Sequence, residues 1–208
     1  MEKLFRFLHP FMVLPYFAVL TGLYLFRSAW LAILFYHAGM ALYLACVHRN
    51  AGMPPIFKGW NSRAGVALSL LCASGGLLLY LIWPVAAIDR GALASTLEAL
   101  GLHGTGWRLF VFYYLSLHPV IEEAFWRGAH LSGQKGIIPA DAAFAGYHIL
   151  VLICFIKTPW TVTVFLILVL TAWLWRRITL RYGGLAIPII SHAAAGFGTM
   201  AAVCCLLS

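Results

Sequence analysis

Apolar residues run along this chain in long blocks separated by short polar breaks. A helix needs roughly 20 apolar residues to cross hydrocarbon, with about 17–25 tolerated. Seven blocks approach that length: near 10–26, 29–47, 65–83, 107–126, 142–156, 159–175 and 184–206. The fifth is short, so it would be tilted or locally distorted. Between the third and fourth, "PVAAIDRGALASTLEALGLHGTG" (84–106) is too polar to span, and "ASTLEALGL" within it reads as a short amphipathic helix lying at the interface. "HRNAGMPPIFKGWNSR" is a basic loop broken by two prolines. The pattern predicts an all-α, polytopic transmembrane helix bundle of about seven spans, with an eighth left open. It is read as one integral-membrane domain over 1–208, without internal repeats.

Composition strengthens that reading. The chain is 63% hydrophobic and only 10% charged, whereas a soluble domain carries about a quarter charged residues. Mean hydropathy is +0.92. Basic residues precede the first apolar run, as in a signal peptide, but no small-residue cleavage site follows, so the run reads as a retained helix. The five cysteines include no CxxC pair and sit in or beside apolar runs, as small hydrophobes in core or lipid. Cys204 and Cys205 could be acylated, though nothing requires it.

The net charge of +8 has a topological explanation. Basic residues concentrate on the cytoplasmic side of membrane proteins. With the N-terminus inside, that side collects Lys3, Arg6, Arg49, Lys58, Arg63, Arg127, Lys135, Arg176, Arg177 and Arg181, and the other receives Arg27, Arg90, Arg108 and Lys157. Arg127 could instead belong to a site. No basic stripe with interleaved aromatics suggests nucleic acid.

Of six acids, Glu2, Asp89 and Glu98 fall in terminal or loop segments, and Asp141 can cap the fifth helix. Glu122 and Glu123 remain inside a span, in "VIEEAFWRGAH". A carboxylate at membrane depth costs about 2.5–3.5 kcal/mol, so a pair calls for a function or a specific partner. Glu123 and Arg127, four apart, share a helix face and can pair. Glu122 points about 100° away and is left for another task. His118, one turn earlier on its face, could tune it. Pro119 should weaken the helix there, and Pro188 could do the same one turn before His192.

Two histidines stand in other spans: His148, one turn after Phe144, and His192 in "GGLAIPIISHAAAGF". At 1.5 Å per residue, Glu122, His148 and His192 lie roughly 9, 10 and 12 Å beneath one face. A buried Glu–Arg–His ion network that only holds helices together would show the same residues.

"EEAFWR", "FAGYH" and "SHAAAG", in that order on separate spans, resemble the CAAX-processing and bacteriocin-processing family of intramembrane proteases, which includes the prenyl-protein endopeptidases. The resemblance covers about 107–200, taken as the catalytic core. It implies a glutamate-type intramembrane endopeptidase without metal or other cofactor. Glu122 and His148 would activate a water, and His192 would help stabilise the oxyanion. Glu123, Arg127 and Phe144 would be supporting, and His118, outside the family pattern, joins them by its place on the Glu122 face. An apolar pocket disfavours a charged carboxylate, which suits Glu122 to taking a proton from water. One departure stands out: Gly196 occupies the place of an asparagine or aspartate in the family pattern. Either His192 works with another donor, with Ser191 and Thr199 nearby, or the oxyanion site is weaker, or Gly196 makes room for a substrate backbone.

The implied substrate is a membrane-associated protein or peptide: a C-terminal sorting tail, a bacteriocin leader or a prenylated C-terminus. The short chain suggests a prokaryotic cell (inner) membrane. Two other readings stay open: a non-proteolytic membrane scaffold or immunity protein, and a metal-dependent membrane protease using His118, Glu122, His148 and His192. No HExxH occurs.

Overall fold

The computed structural model describes residues 10–47 and 53–208. Lys3, Arg6, Arg49, Glu2 and Asn50 lie outside them. The described residues form eight α-helices and no strand. They are α1 (Leu14–Val19), α2 (Ala29–Val47), α3 (Ser62–Ala86), α4 (Arg90–Ala99), α5 (Gly104–Glu123), α6 (Pro139–Leu152), α7 (Thr158–Tyr182) and α8 (Ala186–Leu207). Every predicted apolar block falls on helix, and the amphipathic segment falls on α4. Four helices are long and apolar enough to cross a membrane: Ala29–Cys46 within α2, then α3, α7 and α8. The other three blocks fall short of that for separate reasons.

The first block, Pro10–Leu25, is a composite of a 3₁₀ turn (Pro10–Val13), α1 and a π-helical turn (Leu20–Leu25). Proline cannot donate to a helix ladder, and Pro10 and Pro15 fall in its opening turns. Helix α5 is 20 residues long but carries Arg108, Glu122 and Glu123. Helix α6 has 14 residues, about 21 Å of rise, short of the roughly 30 Å hydrocarbon core. Irregular chain completes its path: Ile88 N–H donates to Phe155 O at 2.8 Å, and Lys157 N–H to Ala86 O at 2.8 Å.

Local chemistry sets the helix ends. The Asn61 side chain accepts Ala64 N–H at 3.0 Å to open α3, and Asp89 accepts Gly91 N–H at 2.8 Å to open α4. Pro139 and Pro159 occupy first turns, where their missing N–H costs nothing. Gly183, at φ 69°, ends α7 in the left-handed region.

Helix α8 is the axis of the bundle. It packs along α3 and also touches α4, α5 and α7. The α3–α8 contact is close enough to exclude side chains: a Cβ on Gly76 would run into the Gly198 carbonyl, and one on Gly198 into Ala73. Large apolar side chains such as Leu70, Leu77, Phe112 and Leu166 face outward, as lipid requires.

Asp141 does more than open α6. Its Oδ2 accepts Ile138 N–H at 3.0 Å, and both its oxygens take the Arg176 guanidinium at 3.1 and 2.9 Å. Arg176 also donates to Ser132 O, Gln134 O and Gly136 O. It is a buried organiser of the 130–138 loop, not the loop charge expected from topology. Arg127 is buried as well. The cysteines are free; Cys46, Cys204 and Cys205 sit on exposed faces, and Cys72 and Cys154 are half-buried.

Candidate active site

Glu122 and Glu123 are the last residues of α5, and a π-helical turn (Ala124–Ala129) follows at once. Such turns are rare inside helices and are frequent at functional sites. Both acids are fully buried, at 0% exposed. Glu123 Oε1 accepts Arg127 Nη1 at 3.2 Å, as the four-residue spacing predicts, and it also accepts His192 Nδ1 at 2.8 Å. The Arg127 guanidinium lies 4.1 Å from the centre of the Phe144 ring and 5.0 Å from that of Trp175. Phe144 therefore acts as an apolar lid on the buried cation.

Glu122 is less free than its helix position suggests. The Tyr147 hydroxyl donates to its Oε1. Oε2 has no hydrogen-bond partner, and His192 Nε2 lies 3.7 Å from it. His148 Nδ1 is 2.8 Å from the Phe144 carbonyl. A carbonyl can only accept, so the ring hydrogen sits on Nδ1 and the lone pair on Nε2. The same logic places a hydrogen on His192 Nδ1, facing the Glu123 carboxylate. One ligand-type atom from each of Glu122, His148 and His192 lies within 4.8 Å of the others. The three residues, carried by α5, α6 and α8, meet at one point.

That donor set is one zinc accepts. Its outer partners, a backbone carbonyl and a carboxylate, are the kind that orient metal-bound imidazoles. His37, His118 and Glu122 form a second such group. The metal-dependent alternative had joined His118 to His148 and His192; the structure divides these histidines between two groups that share Glu122.

His118 Nδ1 lies 3.7 Å from Glu122 Oε1 and 2.7 Å from the Tyr36 hydroxyl. The expectations around Gly196 and Pro188 need correction. Ser191 donates to Ile187 O at 2.8 Å and Thr199 to Ala195 O at 3.0 Å, so each hydroxyl is taken by its own helix. A Cβ on Gly196 would meet Tyr114 and Leu115 at 3.2 and 3.3 Å, so the glycine lets these α5 side chains pack against α8. Pro188 lies in the first turn of α8, where it breaks no ladder bond.

The sequence reading missed Tyr147, Tyr36, His37 and Trp175, which stacks on His192 with centroids 4.8 Å apart. His37 carried the same signal as the other histidines, a polar residue inside an apolar run. The tyrosines and the tryptophan passed as apolar.

An all-helical, apolar bundle that gathers an acid and two imidazoles in its interior defines an integral membrane protein with a buried cluster of ionisable groups. Residues 104–198 match the family model described as Type II CAAX prenyl endopeptidase Rce1-like. The resemblance read from the three motifs is thereby shown over the segment that bears them. The matched family is one of CAAX prenyl endopeptidases, and the match implies a protease activity on a peptide substrate in a membrane context. No curated protein and no solved structure matches the chain.

Proposed function

We propose that the protein is a glutamate-type intramembrane endopeptidase: one membrane domain with its catalytic core at 107–200, in which Glu122 and His148 activate a water. The observation that carries this reading is the convergence of Glu122, His148 and His192. A water among them has acceptors for both its hydrogens, Glu122 Oε2 and His148 Nε2. As its oxygen bonds to the peptide carbonyl carbon, one proton passes to Glu122 and the carbonyl oxygen takes the negative charge. His192 has Nδ1–H committed to Glu123, so its Nε2 can donate to that oxyanion only with a second proton. Glu122 Oε2, 3.7 Å away, can hand one over. A preorganised donor of this kind is worth about 3–4 kcal/mol. When the oxyanion collapses and the C–N bond breaks, His192 returns its proton to Glu122 Oε2, and Glu122 passes it to the leaving nitrogen, which restores both groups. Arg127 holds Glu123, and Glu123 orients His192.

The N-terminus is inferred to lie in the cytoplasm, which puts the site beneath the cytoplasmic face. The substrate is a peptide segment close to that face. A Glu122→Gln variant should fold and insert but leave its substrates uncut. Mass spectrometry of membrane-protein termini, wild type against variant, should show termini that disappear; unchanged processing by the variant defeats the assignment. Metal content and chelator response of the purified protein separate this mechanism from a metal-dependent one.

A further inference from the structure

Helix α2 is apolar in sequence and lies outside the segment that the family model matches, yet it sends two polar side chains into the interior. Tyr36 is 4% exposed and His37 is 3% exposed. The Tyr36 hydroxyl lies 2.7 Å from His118 Nδ1, and His37 Nε2 lies 3.3 Å from the same atom. On its other side, His37 Nδ1 lies 2.7 Å from the Tyr113 hydroxyl. Glu122 Oε1 is 3.7 Å from His118 Nδ1. Three groups thus converge on one ring nitrogen.

With neutral rings, one proton arrangement accounts for the three short contacts of His37 and His118 with their neighbours. Tyr113 donates to His37 Nδ1, which leaves the hydrogen of His37 on Nε2. That Nε2–H and the Tyr36 O–H both donate to His118 Nδ1. The hydrogen of His118 then sits on Nε2, which is buried and has no partner. The ring is also fixed in angle, clamped by α2 and stacked on Tyr114 with centroids 4.5 Å apart. Oε1 of Glu122 accepts the Tyr147 hydroxyl, and the clamped ring packed 3.7 Å from it limits how the carboxylate turns, which keeps Oε2 on the His192 side. Simple packing would be served as well by phenylalanine at 36 and leucine at 37, with no polar group to desolvate.

We propose that Tyr36 and His37 are positioning residues of the active site, acting on Glu122 through His118. The proposal rests on Glu122 being the base. The test uses a synthetic peptide spanning the cleavage site found in the Glu122→Gln comparison, cleaved by full-length protein in lipid nanodiscs. His37→Phe should lower kcat by about 10–100-fold with KM unchanged, since small misplacements of a reacting group cost that much. Its melting temperature should stay near wild type. His37→Gln, which keeps an amide donor near the Nε2 position, should recover most of the rate. A wild-type kcat in His37→Phe, or a rate loss that follows a fallen melting temperature and is not recovered in His37→Gln, overturns the proposal. If His37→Phe does not fold, Tyr36→Phe is read instead: it should lower kcat in the same way, and a wild-type kcat overturns the proposal. The two failures are distinguishable, because an inactive Glu122→Gln beside a fully active His37→Phe leaves the base intact, whereas an active Glu122→Gln removes the base itself.

Discussion

Arg127 shows how a full positive charge is kept inside an apolar bundle. One edge of the guanidinium meets Glu123 at 3.2 Å, and its flat face lies against Phe144 and Trp175. Lysine in its place would keep the charge but lose the planar stacking and the fork. Methionine would leave Glu123 buried with only His192 beside it, and breaking a buried pair this way costs about 3–5 kcal/mol. Arg127→Met should therefore lower the unfolding free energy in detergent by that amount, and Arg127→Lys by less; a wild-type unfolding curve for Arg127→Met would refute a structural role for the pair. This pairing was readable in the sequence because both partners sit on one helix, four residues apart. The partners of His37 are 76 and 81 residues away, so nothing in local spacing points to them. Tyr147 was hidden for another reason: its ring suits an apolar pattern, and its hydroxyl gains meaning only beside Glu122.

Among the helices, α8 has to carry His192 to the site while lying flush against α3. The Gly76 and Gly198 backbones touch, which leaves no room for a Cβ on either. Gly198→Val should separate the helices at a cost of about 1–3 kcal/mol or more, and it should lower activity along with stability because His192 moves with α8. Loss of melting temperature with full activity would show that the site does not depend on this contact. The helical segments were legible from hydropathy, including the short fifth one. The two π-helical turns were not. Gly22 lies in the first, where a Cβ would run into Ala32 of α2, a contact between helices that no single-segment pattern contains. The same limit applies to Gly196, which was read against a family motif but is set by Tyr114 and Leu115.

For the molecule as a whole, the outward face is apolar and the polar chemistry is enclosed. Of the ten basic residues assigned to the cytoplasmic side, Arg127 and Arg176 are bound up in buried ion pairs. The remaining loop and terminal charges still favour an inward N-terminus. In a cysteine-free background, Lys135→Cys should react with a membrane-impermeant maleimide only from the cytoplasmic side, and Glu98→Cys only from the other. The reverse pattern would invert the orientation, and labelling of both from one side would refute a crossing by α5. By itself, the sequence determined the run of helices, the buried acids and the motif histidines. Hydrocarbon thickness and the cost of desolvating charge act on each segment separately. Tertiary structure alone decided which nitrogen of His148 and of His192 carries its hydrogen, which oxygen of Glu122 stays open, and that α2 reaches the site. These depend on what a neighbouring helix brings within hydrogen-bonding distance, and packing sets that distance.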